Sequence, residues 1–412
     1  MQQHAAMGTS PGVLPPPPRR DGWLVDAAVV VEETGFGVVV RPRGVASSDV
    51  LRAYLCRHRR AVLQVLHRAA GCVGGAVVLR GWQLDTSEAA ESIVHDVLGI
   101  TPLTPFGETL RSFAAFNERA SRLGVSPDGV IQRERSRTVP RAKVGRMQPP
   151  HTEFGLGPHR PRVGAFYCEA APSARSQGST ALCDLAATLE GLRPSDRERL
   201  ARHGWWNPRT RVVQPWILVH PESGQRVLGQ LYCLTDRLSR QALRAYQAVR
   251  SRLGEAYPEV VAMDDAGNDQ GMDYGFELLR EQSRPLALDD AATQRLLQSA
   301  FAHTAFFRWQ TQDLLLFDNL LFAPWRMPGG TDRRLHAFFG DPIDTRTLCP
   351  DDAPACVLRD VQAPCRGGNQ LVLDTLGLGG RHWSLTWLAW MPDWMFAWLG
   401  RQTWGHRASG DG

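Results

Sequence analysis

The chain has 412 residues, 43% of them hydrophobic, enough for a substantial buried core and too many for a globally disordered protein. Its formal net charge of +5 is mild and is not gathered into basic runs, which argues against a nucleic-acid partner. Lys143 is the only lysine among 47 basic residues, a bias of composition toward arginine rather than a binding surface.

The eight cysteines are scattered and none falls in a CxxC pair. Cys349, Cys356 and Cys365 lie closest together, but their spacing matches no zinc knuckle, so thiols of a reducing, cytoplasmic protein are expected. The N-terminus lacks a basic region leading into an apolar signal segment. Its stretch SPGVLPPPPRRDG reads instead as a disordered, proline-rich lead over residues 1–22.

An ordered domain is expected over 23–347. Residues VVVEETGFGVVVRPRG carry apolar runs around glycine, the pattern of a hairpin. A helical pattern starts at Ser47 with Val50, Leu51, Tyr54 and Leu55, and continues through Val62 and Leu66. GGAVVLRGW (74–82) is an apolar run between glycines, hence a buried strand, and a capped helix follows from about Ser87 to Leu98. Residues 99–147 read as loop-rich, able to lie over a site. RVGAFYCEAA (162–171) reads as a strand, and STALCDLAATLEGL (179–192) as a strand turning helical. RVVQPWILVHPESGQRVLGQLYCL alternates like a hairpin with its turn at PESG. Helical patterns cover about 235–254 and 288–300, and 309–326 and 333–341 read as strands. Short strands with long helical insertions predict an α+β fold with a sheet core and helices packed outside it.

Residues 348–412 form a C-terminal extension. Trp383, Trp387, Trp390, Trp394 and Trp398 are spaced at helical period, with Pro392 interrupting them, so a kinked or double helix with a buried tryptophan face is expected. The stretch is too short and broken to cross a bilayer, so the tail is expected to dock on this domain or on a partner.

MQPPHTEFGL (147–156) is where chemistry first shows. His151 and Glu153 are two apart, and on an extended strand side chains at i and i+2 share a face. An imidazole and a carboxylate so presented can hold one divalent metal, but they supply only two ligands.

The order GGAVVLRGW, PPHTEF, FYCEAAPSARSQGSTALCDL, VHPESGQ, WQTQDLLLFDN and RMPGGTDRR resembles the taurine dioxygenase (TauD/TfdA-like) family over about 35–345. It is most similar to the branch of the syringomycin aspartate hydroxylase and clavaminate synthase. That resemblance implies a double-stranded β-helix, a jelly-roll or cupin-like core, and a cytoplasmic enzyme using Fe(II), 2-oxoglutarate and O2. It implies His151 and Glu153 as catalytic iron ligands, Thr180 in the QGST turn beside the cosubstrate's near carboxylate, and Arg333 on its far one. A guanidinium suits that task because its fixed fork meets a carboxylate in two parallel bonds. Where the family has a third iron ligand, DNxLxxHGR, this chain reads DNLLFAPWR, and the histidine column is Pro324. His159, His303 and His336 are the candidate replacements, and each reads more simply as a structural or surface histidine. Retention of Glu153 argues against a halogenating relative, in which the carboxylate is absent.

The resemblance implies an amino-acid-like small substrate, free or carrier-tethered, in specialised-metabolite (antibiotic-type) biosynthesis. Arg209, Arg211 and Trp205 are the candidates for touching it. The lost third ligand leaves a second reading open, a binding or regulatory protein on the same scaffold.

Overall fold

A computed structural model describes residues 28–67, 74–103, 137–138, 147, 149–155, 159–173, 178–206, 213–229, 231, 236–254, 257, 259–260, 277–279, 285–287, 289–327, 333–362 and 391–403. The fold mixes helices and strands, as the alternation of patterns predicts. Its largest sheet has seven strands in the order Val29–Thr34, Gly37–Pro42, Ala76–Leu79, Leu314–Asp318, His159–Ala170, Arg334–Asp344 and Arg137–Thr138. Neighbours run antiparallel except Gly37–Pro42 and Ala76–Leu79, which are parallel. Parallel strands need a crossover, and helix Ser48–Leu66 supplies it.

The central strand Leu314–Asp318 is buried throughout, and its alternation assigns two cores. Leu314 and Leu316 join Val77, Leu79, Val163 and Tyr167 against the helix residues Leu51, Tyr54, Leu55 and Val62. Leu315 and Phe317 face the other way, into the larger core with Phe166, Leu182, Ala323 and Trp325. Burial of each such side chain contributes about 1.5–3 kcal/mol. Arg80 and Asp313 tie the end of this layer together through Nε–Oδ1 and Nη2–Oδ2 bonds of 2.9 and 2.6 Å.

The larger core is closed by a three-stranded antiparallel sheet, Thr304–Phe307, Thr180–Asp184 and Phe322–Arg326. Helix Asp290–Ala302 packs outside it beside helix Asp236–Leu253. Between them, Trp325 meets the rings of Phe301, Tyr246 and Phe306 at centroid distances of 5.2, 5.8 and 5.7 Å. Asp184 ends its strand and starts helix Leu185–Glu190, its carboxylate accepting from the amides of Ala186 and Ala187 at 2.9 and 2.8 Å.

The predicted hairpin at PESG is present as Ile217–Val219 paired with Arg226–Leu228. The helix expected from Ser87 begins there, capped by Thr86, but winds into a π-helix over Ile93–Val97. Most of 99–147 lies outside the described residues, as do residues 1–27.

The tail departs from expectation. Trp383, Trp387 and Trp390 lie outside the described residues. In helix Asp393–Thr403, Trp394 and Trp398 are exposed, at 71% and 53%, while Phe396 and Ala397 are buried. The helix starts just after Pro392, and its phase turns Phe396 inward. The tryptophans, one helical turn apart, therefore share the solvent face. No helix among the described residues is long and apolar enough to cross a membrane.

Candidate active site

His151 lies beside the edge strand Phe322–Arg326 and donates its backbone N–H to the Pro324 carbonyl at 3.2 Å. Its ring is fixed as well, since Nδ1–H donates to the Pro149 carbonyl at 2.9 Å. That bond sets the tautomer and leaves the Nε2 lone pair available, as a metal-binding histidine needs. Nε2 stands 3.6 Å from Glu153 Oε1, and both side chains are about nine-tenths buried. Between them Thr152 donates its N–H to the Leu231 carbonyl at 2.8 Å. Phe154, directly after Glu153, has a positive φ of 56° and stacks edge-on against Phe339 at 5.1 Å. A non-glycine residue held there carries strain of about 1–2 kcal/mol, which the packing offsets.

Glu153 is fastened through its backbone. Asn319 Oδ1 accepts the Glu153 N–H at 3.0 Å, and Asn319 Nδ2 donates to the carbonyls of Glu153 and Pro161 at 3.0 and 2.8 Å. One side-chain amide thus clamps the segment like a strand neighbour.

Pro324 stands next to His151, and proline carries no donor atom for a metal. It is tolerated because Phe322–Arg326 is the edge strand of its sheet. None of the three other histidines replaces it. His336 Nε2 bonds Glu169 at 2.7 Å beside Tyr167, on the helix-facing side of the large sheet. His159 is half-buried and pairs with Asp344, and His303 caps a helix with Nδ1 on the Ser299 carbonyl. Among the described residues no group of three His, Cys, Asp or Glu side chains is placed to hold a metal ion. The imidazole and carboxylate of His151 and Glu153 are of a kind that could fill two positions of an iron shell, and no third such side chain joins them among the described residues.

Two residues along the same strand pair, Thr180 sits opposite Arg326, as Leu182 sits opposite Pro324. All four positions share a face, and Thr180 is roughly 7 Å along the sheet from the Pro324 level. The Thr180 hydroxyl is buried and accepts from Trp309 Nε1 at 2.8 Å. Arg333 reaches the same turn, donating Nη1–H to the Gly178 carbonyl at 2.5 Å. Arg326 and Arg333 are both buried. Burial and then the charge of Arg326 bring the Arg333 guanidinium down to about 9, with the Cys168 thiol as the opposing influence. Each of these like charges, withdrawn from water, makes the other's charged form less favourable. Neighbouring Arg334 points outward to Glu169 at 2.7 Å, so the two adjacent arginines have different roles.

Trp205 is 1% exposed, in the strand Gly204–Trp206, and belongs to the larger core. Arg209 and Arg211 lie outside the described residues. Sequence reasoning missed the buried anchor behind Asn319. Asp318 takes His67 Nδ1 at 2.7 Å, His220 Nε2 at 3.1 Å and Arg162 Nε at 3.3 Å, all on Oδ2. The only signal for it was the Asp-Asn dipeptide at 318–319.

The model of the family described as "Taurine catabolism dioxygenase TauD, TfdA family" matches residues 56–338, more than half of the chain. The protein therefore belongs to the TauD/TfdA family of dioxygenases. Such enzymes are oxidoreductases that use Fe(II), 2-oxoglutarate and O2, and the chain is an enzyme of that class. No curated protein matches it.

Among solved structures it is similar to PvcB, an iron and alpha-ketoglutarate dependent oxygenase from an isonitrile synthetic pathway. Identity is 14%, with 78% of this chain and 95% of that one covered, at a TM-score of 0.42. AAD-2, in complex with Mn(II) and N-oxalylglycine, is 10% identical over 77% of this chain and 99% of its own, at 0.43. A taurine dioxygenase from Burkholderia xenovorans is 16% identical over 82% of this chain and all of its own, at 0.39. These superpositions are loose, and membership rests on the family match.

Proposed function

We propose that the protein hydroxylates, or otherwise oxidises a C–H bond of, an amino-acid-like substrate, with a metal shell that lacks the distal histidine. The observation that carries this reading is the pair of buried guanidiniums, Arg333 and Arg326, at the Thr180 turn, with Thr180 and Arg326 two residues along the ladder from Pro324, whose carbonyl takes the His151 N–H. In this reading His151 Nε2 and Glu153 are the metal donors, Thr180 and Arg333 hold 2-oxoglutarate, and Pro324 stands in the vacated ligand column. Bound iron with 2-oxoglutarate supplies the oxidation of the C–H bond, coupled to decarboxylation to succinate. The chain's own work is to fix the His151 tautomer, hold Glu153 through Asn319, neutralise the cosubstrate and exclude water behind buried walls.

The same reading takes the two packed sheets as a double-stranded β-helix within an oxygenase domain at 23–347, followed by an extension at 348–412. It places the protein near the syringomycin aspartate hydroxylase and clavaminate synthase branch, on the strength of His-x-Glu and the QGST turn. The substrate class, a role in cytoplasmic specialised-metabolite biosynthesis and a carrier-tethered substrate follow from that likeness. Trp205, Arg209 and Arg211 remain its substrate candidates. Anaerobic titration of 2-oxoglutarate into protein with and without Fe(II), followed by succinate measurement after admitting O2, tests the reading. Absence of both binding and succinate would overturn it.

A second reading has its own support. A third protein donor is missing among the described residues, as expected of a family member that binds 2-oxoglutarate or a similar dianion without turnover. Tight cosubstrate binding with no succinate under any metal would favour it.

A further inference from the structure

We propose that His67 is a positioning residue for Glu153, acting through Asp318 and Asn319 on the backbone of the segment that carries His151 and Glu153. The function assigned to it rests on the reading of those two residues as the metal pair. His67 is the residue that ends helix Ser48–Leu66, far in sequence from every motif of the site. Its Nδ1 makes the shortest of the three side-chain bonds to Asp318, at 2.7 Å, and that carboxylate is completely buried.

The other ties on Asp318 define what His67 adds. Ser223 donates its backbone N–H to His220 Nδ1 at 3.2 Å, so His220 carries its proton on Nε2 and donates it to Asp318. Arg162 adds a longer bond from Nε, at 3.3 Å, while its two terminal nitrogens grip Glu222. The second oxygen, Oδ1, accepts the Leu320 N–H at 2.8 Å, and the Asp318 N–H donates to Gly75 at 2.8 Å. The tight turn after the strand is therefore built on this one carboxylate. Asn319, the next residue, places its amide on both backbone groups of Glu153. One peptide bond separates the group His67 holds from the group that holds Glu153.

His67 is also the outermost of these contacts, its side chain mostly buried but edging a groove. With Arg57, Arg60, Gln64, Glu222 and Ser223 it lines a groove of about 800 Å³. Three of those residues, His67, Glu222 and Ser223, each engage one arm of the Asp318 cluster, through Asp318 itself, Arg162 and His220. Loss of the His67 arm would let water reach a carboxylate that is now dry, and would loosen the turn that presents Asn319.

The test compares His67→Asn with His67→Gln. An Asn amide nitrogen lies where Nδ1 lies, whereas Gln reaches toward the Nε2 position, so the two differ in geometry at similar polarity. Hydrogen exchange of the peptide spanning 149–155 reads the Asn319–Glu153 clamp in the metal-free protein. Exchange at least fivefold faster in His67→Gln, near wild type in His67→Asn, with melting temperatures of the two variants alike, is the expected result. Equal exchange in wild type and both variants would overturn the proposal, as would equal acceleration in both.

Cobalt(II) affinity gives the second readout. It should weaken at least fivefold in His67→Gln and in Asn319→Ala, and the double variant should be no weaker than either, because both act on one path. Additive losses would overturn the path. If the His151→Ala, Glu153→Ala variant takes up cobalt(II) like wild type, the metal reading fails while the exchange result still decides whether His67 positions the segment.

Discussion

Arg333 Nη1 lies 2.5 Å from the Gly178 carbonyl, two residues before Thr180, so the last long strand and the QGST turn meet at one guanidinium. Its neighbour Arg326 is also buried, opposite Thr180 in the ladder. Burial and that like charge hold Arg333 at about 9, and an incoming dianion relieves both penalties at once. Arg333→Leu is expected to weaken 2-oxoglutarate binding at least tenfold, about 1.4 kcal/mol or more. Calorimetric titration checks this, and equal affinities would remove Arg333 from the cosubstrate site. Arg334→Leu, which loses only an exposed pair with Glu169, should leave affinity unchanged.

The Asp318 cluster gives an acid signature. Burial works to raise its carboxyl, but the bonds from His220 and His67 outweigh it and hold the group far below the usual carboxylate range. A carboxylate depressed in the folded state contributes stability that is present above its unfolded value near 3.9 and lost as pH falls below it. Asp318→Asn should destabilise the protein at pH 7 by on the order of 3 kcal/mol, because it strands buried donors. It should also flatten the decline in stability below about pH 4. Chemical denaturation at pH 7, 5 and 3 checks both, and parallel pH profiles for the two proteins would contradict the assignment.

Much of this arrangement was legible in the residues. Strands with buried faces on both sides, such as Leu314–Asp318, announce themselves by unbroken apolar runs, and the helix at 48–66 by its period. The His-x-Glu pair is a local i, i+2 relation, so spacing alone places both side chains on one face. What spacing cannot give is long-range partnership. His67 and Asp318 are 251 residues apart, and no local pattern marks His67 as the holder of a buried carboxylate. The tail erred for a related reason. A tryptophan stripe defines a face but not which side meets the core, and Phe396 occupied the inner one.

That inversion predicts how the tail tolerates change. Trp394→Ser with Trp398→Ser removes mostly exposed surface and should lower the melting temperature by less than Phe396→Ala does. Phe396→Ala empties a site that is 1% exposed and should cost about 3 kcal/mol, several degrees in melting temperature. Differential scanning calorimetry of the two variants separates them. A large loss in the tryptophan variant, or none in Phe396→Ala, would reverse the assignment of faces.

The last prediction concerns Pro324. Its carbonyl accepts the His151 N–H at 3.2 Å, and its side chain shares a sheet face with Thr180 and Arg326. In the proposed reading the protein donors to a metal there are His151 Nε2 and Glu153, 3.6 Å apart. With two protein donors, a metal is held weakly alone and more firmly with 2-oxoglutarate, which brings donors of its own. Metal and cosubstrate should then bind cooperatively, each raising the other's affinity by the same factor. Pro324→His supplies the missing imidazole in a strand whose other residues keep their pairing. Because Phe322–Arg326 is an edge strand, restoring an N–H at 324 disrupts no ladder. Iron(II) or cobalt(II) should therefore bind Pro324→His at least tenfold tighter in the absence of 2-oxoglutarate, with a smaller gain in its presence. Metal titrations with and without cosubstrate measure all four affinities. Equal affinities for wild type and Pro324→His would mean that position 324 does not face the metal. Undiminished binding in a His151→Ala, Glu153→Ala variant would mean that the metal sits elsewhere.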